Sequence, residues 1–242
     1  MGRAFEDRKA RKLKRWGNMA RTFTKIGKEI EIPVKAGGPD PSANTRLRIL
    51  MQNAKAENMP KENVERAIKR ATSKDTTDYK EVVYEGYGAH GIALLVETAT
   101  DNTNRTVANI RMHFSRCGGT LGNSGSVAFM FEHKCIFKFH APAELDREEL
   151  ELEMIDLGVD EFAPEDDTTI SVEAPYESFG SIQKWLDDKG FEIVSGEGAR
   201  IPTDYKELDA EGRADIEKLV DRLEEDEDVV NVYHNMKEVD EE

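Results

Sequence analysis

The sequence predicts an α+β protein with a basic three-helix N-terminal domain followed by two α+β domains, one inserted in the other. Up to about residue 74, apolar residues recur every three or four positions, as on one face of a helix. Beyond that point, short strand-like segments are interleaved with helical ones, a pattern that favours sheets with helices packed on one face.

The N-terminal domain, residues 1–74, is predicted to contain three short helices. The first carries an apolar stripe at spacings of four, three and four: Met19, Phe23, Ile26 and Ile30. The stretch AGGPDPSAN at 36–44 ends it, because two glycines and two prolines disfavour a continuing helix. The apolar stripe of the second helix is Leu47, Leu50, Met51 and Ala54.

The stretch NMPKENVERAIKR at 58–70 predicts the third helix. Pro60 suits the first helical position, since its missing N–H would be unpaired there. At 100° per residue one face is apolar, with Val64, Ala67, Ile68 and Ala71. The cations of the helix are Lys61, Arg66, Lys69 and Arg70. A solvated surface helix has the same appearance, so the surroundings must decide what this face does.

Charge is divided unevenly along the chain. The formal net charge is −15, yet residues 1–74 hold 19 Lys or Arg against 8 Asp or Glu. The remaining residues hold 15 basic and 41 acidic side chains. Such asymmetry points to a nucleic-acid or membrane contact. No apolar run approaches the roughly 18 residues of a membrane span, and the basic N-terminus lacks the apolar core of a secretory signal. A cytoplasmic nucleic-acid-binding protein with no membrane partner is therefore expected.

The two remaining domains are predicted at 75–133 plus 204–242 and at 134–203. The first begins with two strands, a helix up to Cys117 and a strand SVAFMFE at 126–132. The inserted domain reads strand, helix, strand, helix, strand. The C-terminal helix and strand need a sheet to join, which places them with the first of these domains.

No catalytic constellation is recognisable in the sequence. The glycine-rich stretch GGTLGNSGSV could present N–H groups to a phosphate, or could simply be a turn between a helix and a strand. His113, Cys117, His133 and Cys135 could bind zinc, but their spacing matches no zinc motif. The acidic runs at 165–167 and 224–228 are interpreted as solvated faces. We therefore expect no enzyme activity, cofactor, metal or small-molecule substrate.

Several stretches together resemble the YebC/PmpR family. They are FTK at 23–25, AGGPDPSANTRLR at 36–48, NMPKENVERAIKR at 58–70, YEGYGAHGIALLVE at 84–97, TDNTNRTVANIR at 100–111 and GGTLGNSGSVAFMF at 118–131. The N-terminal FEDRKARKLKRWGNMAR departs from the usual family start but is equally basic. The resemblance implies the same three-domain fold and a non-enzymatic role in gene expression, either as a DNA-binding transcriptional regulator or as a translation factor that acts on the ribosome and eases synthesis of proline-rich stretches.

Two nucleic-acid targets remain open from the sequence. Duplex DNA would be read by Asn63 and Arg66, the polar side chains of the third helix suited to base edges. Ribosomal RNA would suit the irregular Gly/Pro loops and a basic N-terminal arm that orders on binding. In both cases the predicted contacts are Arg8, Lys9, Arg11, Lys12, Lys14, Arg15, Arg21, Lys25, Lys61, Asn63, Arg66, Lys69 and Arg70. Charge reversal of Arg66, Lys69 and Arg70 together is expected to abolish binding and leave the fold intact.

Overall fold

The computed structural model describes residues 19–73, 77–142 and 144–237. Within these residues the fold is α+β, with seven helices and two antiparallel sheets. The helices are α1 (Met19–Gly37), α2 (Thr45–Ala56), α3 (Lys61–Ala71), α4 (Thr103–Arg116), α5 (Arg147–Ile155), α6 (Phe179–Lys189) and α7 (Ala210–Glu224). The strands are β1 (Lys80–Tyr87), β2 (Ala93–Thr100), β3 (Thr120–Leu121), β4 (Phe131–His140), β5 (Glu161–Pro164), β6 (Thr169–Pro175), β7 (Glu192–Pro202) and β8 (Val229–His234).

The three predicted N-terminal helices are confirmed, and their apolar stripes form a shared core, except for Met19, which is 53% exposed. Asn44 joins the first two: its Oδ1 accepts a hydrogen bond from the N–H of Leu47 at 3.1 Å, and its Nδ2 donates to the carbonyl of Pro33 at 2.7 Å. This cap satisfies one of the unpaired N–H groups at the start of α2. Pro60 immediately precedes α3 and is its N-cap, one position earlier than predicted.

The first sheet has the strand order β3-β1-β2-β8. Helices α4 and α7 pack on one face, where Ile110, Phe114, Ile216 and Leu219 are fully buried. Strand β8 pairs antiparallel with β2, so the C-terminal helix and strand belong to this sheet. The second sheet has the order β5-β6-β4-β7 and forms its own core with α5 and α6.

The strand predicted at 126–132 is wrong for most of its length. A single helical turn occupies Ala128–Met130, and β4 begins at Phe131 and continues to His140 in the second sheet. The alternation of apolar residues misled because the N–H groups of Val127 and Ala128 bond to the carboxylate of Glu85 and not to a neighbouring strand. Strand β5 was not predicted, because this four-residue edge strand has little apolar pattern.

Candidate nucleic-acid interface

Helix α3 presents its basic side chains to solvent. Lys61, Arg66, Lys69 and Arg70 are all exposed, while Val64, Ala67 and Ala71 on the opposite face are buried. The helix packs chiefly against α1, and its buried residues belong to the core of the N-terminal domain. The sequence-based division of α3 into an apolar and a cationic face is therefore what the structure shows.

Two of the α3 cations are held by residues of the same helix. Lys61 lies 3.6 Å from Glu65, one turn along. Arg66 donates from Nε to the carbonyl of Glu62 at 3.3 Å and from Nη2 to the Oδ1 of Asn63. Asn63 and Arg66, the two predicted base readers, are thus bonded to each other in this conformation.

Arg70 has a structural role that its position in the sequence does not predict. Its Nε donates to Glu31 Oε1 at 2.5 Å, and its Nη2 forms an ion pair with the same oxygen. The side chain of Glu31 on α1 is only 1% exposed. A buried carboxylate is costly without a partner, so Arg70 stabilises the contact between α1 and α3. Contrary to the expectation from the sequence, reversing the charge of Arg70 should therefore destabilise the fold.

Arg21 and Lys25 on α1 face the acidic run 224–228 at the end of α7. Arg21 Nη1 lies 3.7 Å from Glu225 Oε1, and Lys25 Nζ donates to the carbonyl of Glu224 at 2.9 Å. A cation at the C-terminal end of a helix also interacts favourably with the helix dipole. The acidic run, expected from the sequence to be a solvated face, thus binds two of the residues that were predicted to contact nucleic acid.

The same run contributes a buried charge network between α1 and the first sheet. Lys28 Nζ donates to Asp228 Oδ1 at 3.0 Å, and Arg105 and Thr106 donate to Asp228 Oδ2 at 2.7 and 2.9 Å. Burial alone would raise the pKa of Asp228, but the hydrogen bonds from Arg105, Lys28 and Thr106 outweigh it and hold the pKa below its usual value. Asp228 is therefore a charged structural anchor.

Helix α2 is attached to the second sheet and its helices. Arg48 Nη2 lies 2.6 Å from Asp187, and the amide of Asn53 bonds both the N–H and the carbonyl of Gly196 at 2.9 and 2.7 Å. Ile49 of α2 is buried in the core of the second sheet. The N-terminal domain is consequently held against both sheets.

These contacts divide the basic residues of the N-terminal domain into two groups. Its described part, residues 19–73, contains 11 Lys or Arg. Seven contact acidic residues beyond residue 77: Arg21, Lys25, Lys28, Lys35, Arg46, Arg48 and Lys55. In the described residues, the four α3 cations make no such contact. Seven of these basic residues thus serve to hold the N-terminal domain against the rest of the chain, three of them through the acidic run 224–228.

The other predicted ligands, Arg8, Lys9, Arg11, Lys12, Lys14 and Arg15, lie outside the described residues.

The glycine-rich loop is arranged around an internal carboxylate. Glu85 of β1 is 5% exposed and accepts hydrogen bonds from the N–H groups of Gly125, Val127 and Ala128 at 2.6, 2.8 and 2.8 Å. Two of these N–H groups, those of Gly125 and Val127, belong to the stretch considered as a phosphate site. Since Glu85 already binds them, the turn interpretation of the loop agrees with the structure.

The residues considered as zinc ligands lie on different elements: His113 is on α4, and His133 and Cys135 are on β4. Cys135 is buried in β4, where burial raises the pKa of its thiol to about 11. His133 stacks on Tyr176 at 3.8 Å between ring centroids, and His113 Nε2 lies 3.7 Å from Asp226. Across the described parts of the chain, no three His, Cys, Asp or Glu side chains converge as a metal site. Nor does any helix there have the length and apolar character needed to cross a membrane.

Comparison with family models decides the relationship. Residues 3–74 match the TACO1/YebC protein N-terminal domain, and residues 79–236 match the TACO1/YebC second and third domain. The chain belongs to the TACO1/YebC family. The resemblance noted in the sequence is thereby confirmed. The boundary between the second and third domains within 79–236 stays a prediction.

Relatives of similar length support the assignment. A protein of Porphyromonas gingivalis is 64% identical over 98% of both chains, and one of Parabacteroides distasonis is 63% identical over 100% of this chain and 99% of its own; each is named "Probable transcriptional regulatory protein". The crystal structure of a conserved hypothetical protein from Aquifex aeolicus superposes with a TM-score of 0.73 at 34% identity, covering 92% of this chain and 91% of that one. The TACO1/YebC fold is thus shared over nearly the whole chain.

Proposed function

We propose that this TACO1/YebC protein is a non-enzymatic, cytoplasmic regulator of gene expression that binds nucleic acid through the outer face of α3. The phosphate contacts are Lys61, Arg66 and Lys69, with Arg70 beside them.

One observation carries this proposal. Of the 11 basic residues in the described N-terminal domain, the four on α3 are those that do not reach the acidic part of the chain within the described residues. They lie on one exposed helix face, whose i, i+3 and i+4 neighbours are about 5–6 Å apart at Cβ. Lys and Arg at such spacings can contact successive phosphates. The acidic remainder repels a polyanion and so directs it toward α3.

Duplex DNA at promoters is the first candidate target. The relatives from Porphyromonas and Parabacteroides are named as transcriptional regulators, and α3 carries Asn63 and Arg66, both able to pair with base edges. For this target, the phosphate contacts position α3. The sequence is read when Arg66 gives up its hydrogen bond to Asn63 and bonds a base edge instead.

Structured ribosomal RNA is the second candidate, and a specific observation favours it. Because Arg66 and Asn63 are bonded to each other, the contact that α3 can make without rearranging these side chains is with phosphates. The adjoining loops have fixed irregular shapes, with Gly38 at φ 88° and Asn58 at φ 58°. Such loops fit an irregular RNA surface better than a regular duplex groove. A ribosome would then be the partner.

The proposed phosphate contacts are tested by replacing Lys61, Arg66 and Lys69 with Glu and leaving Arg70 unchanged. We expect binding to both a duplex DNA and a ribosomal RNA fragment to weaken at least about a hundredfold, with the slope of log K against log salt reduced by roughly 0.7–0.9 per lost contact. The matched control reverses Arg111, Arg116 and Lys218, three exposed cations of the α+β domains. Equal loss in the control would attribute binding to overall charge and contradict the proposal.

The target is identified by crosslinking in the native cell and sequencing the attached nucleic acid. Crosslinks concentrated on large-subunit ribosomal RNA would establish the translation role, and enrichment at discrete promoters would establish the transcription role. Loss of either pattern in the α3 variant would tie it to the proposed face.

A further inference from the structure

We infer that the pocket between α5, α6 and the end of β4 binds a basic segment of a protein partner, in which an apolar side chain is flanked by Lys or Arg. This surface belongs to the inserted part of the chain and shares no residue with α3, so it is independent of the proposed nucleic-acid contact.

The pocket is an open cavity of about 590 Å³ with an aromatic floor. Trp185 and Phe191 lie there with ring centroids 5.6 Å apart and an interplanar angle of 28°. Leu145, at the rim, is 36% exposed. Concave surfaces with an apolar floor and a few polar groups at the rim are the usual form of a binding pocket.

The pocket already holds one ammonium group supplied by the chain itself. Lys189 Nζ lies 5.2 Å from the centroid of the Trp185 ring and 2.6 Å from Glu153 Oε2. An aromatic face with an adjacent carboxylate is a favourable site for a cation. Glu149, one turn before Glu153, also lines the pocket, and its carboxylate has no partner among the described residues. It is available to a cation from outside.

The apolar surface continues onto the outer side of α5. Leu152 and Ile155 are 65% and 52% exposed, and Leu152 follows Glu149 by three positions, so the two are neighbours on the helix surface. Single exposed apolar residues are ordinary on protein surfaces. Here Leu152 adds an exposed apolar side chain next to Glu149 at the edge of the pocket, whereas Ile155, two positions after Glu153, lies on the other side of the helix.

The charge of this region selects the partner. Residues 134–203 contain 18 Asp or Glu against 6 Lys or Arg. A nucleic acid is repelled by such a surface, whereas a basic polypeptide is attracted to it. The apolar floor then distinguishes a basic segment carrying a bulky side chain from one that is only charged.

The probe is a blocked, Trp-free peptide of alternating Lys and Leu, titrated into the ¹⁵N-labelled full-length chain. We expect shifts at the Trp185 indole N–H and around Glu149, and an affinity at least about tenfold tighter than for a peptide with Ser in place of Leu. The double variant Leu145→Ser with Glu149→Lys should lose this advantage. Glu217→Lys, an exposed residue of α7 with the same charge change, should keep it.

Equal affinity for the two peptides, or equal weakening by Glu217→Lys, would reduce the interaction to general electrostatics and overturn the inference. Dimerisation of the free chain that is abolished by the double variant would overturn it as well, since the surface would then be covered by a second copy. Nucleic-acid binding by the double variant should equal that of the unchanged protein, so a failure here is distinguishable from a failure of the α3 proposal.

Discussion

The ammonium group of Lys28 lies 3.0 Å from a carboxylate oxygen of Asp228, with 10% and 4% of the two side chains exposed. The pair joins α1 to the loop between α7 and β8, and Lys28 also donates to the carbonyl of Glu227 at 2.7 Å. The residues are 200 positions apart in sequence. The orientation of the N-terminal domain, and therefore of α3, depends on this buried contact.

Replacing Asp228 with Asn should destabilise the protein strongly. The variant leaves Lys28 and Arg105 beside a neutral side chain, and breaking a buried ion pair from one side costs about 3–5 kcal/mol. Urea unfolding followed by circular dichroism measures the change. Lys55→Ala is the comparison, because Lys55 and Glu192 are 82% and 65% exposed at 3.4 Å, and an exposed pair contributes at most about 1 kcal/mol. Similar losses in the two variants would contradict the buried role of Asp228.

Replacing Arg70 with Ala should reduce stability, whereas replacing Arg66 should not. Without Arg70, the buried carboxylate of Glu31 loses its charged donor, which costs about 1–3 kcal/mol. Among the described residues, Arg66 bonds only to residues of its own helix turn, so Arg66→Ala should lie within about 0.5 kcal/mol of the unchanged protein. Thermal unfolding of both variants provides the measurement. If Arg70→Ala unfolds at an unchanged temperature, the pair with Glu31 contributes nothing to stability.

The regular elements were predictable because they depend on local patterns. The stripe from Phe23 to Ile30 and the two faces of α3 follow from the helical period. The tail strand was expected to join a sheet because a lone helix and strand need one, and β8 pairs with β2. The strand at 126–132 failed because its N–H groups bond to Glu85, some 40 residues earlier, a long-range contact that no local pattern encodes.

The candidate interface was only partly predictable for the same reason. Arg21, Lys25 and Arg66 look alike in sequence, since each is a cation on an amphipathic helix. What separates them is whether an acidic residue from a distant part of the chain faces them, as Glu225 faces Arg21. The acidic run 224–228 was visible in the sequence, but its position beside α1 is a property of the tertiary fold.

Replacing Glu85 with Gln should destabilise the glycine-rich loop in a pH-dependent way. Burial would raise the pKa of Glu85, but hydrogen bonds from the N–H groups of Gly125, Val127 and Ala128 prevail, and the pKa is lowered. A carboxyl whose pKa is lower in the folded state stabilises the fold above its unfolded pKa, about 4.3, and loses that contribution as the pH falls.

At pH 7, Glu85→Gln should therefore cost about 1–3 kcal/mol, because one oxygen acceptor is replaced by an amide donor facing N–H groups. The difference from the unchanged protein should shrink below about pH 4. Urea titrations at both pH values measure it. Glu217→Gln, at an exposed position on α7, serves as the control and should show no difference at either pH. A cost that is constant with pH would mean that the carboxylate charge of Glu85 is not what organises the loop.

His133 should remain neutral until well below the usual range for histidine. Burial first, and the nearby positive charge of Arg200 second, lower its pKa to about 4. An unfolded histidine titrates near 6.5, so the folded state takes up its proton later than the unfolded state does. The stabilising effect of neutral His133 is thus complete above about pH 6.5 and is lost as the pH falls from 6.5 toward 4.

His133→Phe keeps an aromatic ring against Tyr176 and removes the titrating group. The free energy of unfolding of this variant should depend less on pH between about 6.5 and 4 than that of the unchanged protein. An NMR titration of the His133 ring protons measures the pKa directly, and a midpoint near the ordinary value of about 6.5 would contradict the burial of this ring beside Arg200. Because His133 on β4 pairs directly with Arg200 on β7 in the second sheet, a low pKa is the result expected from the positions of these two residues.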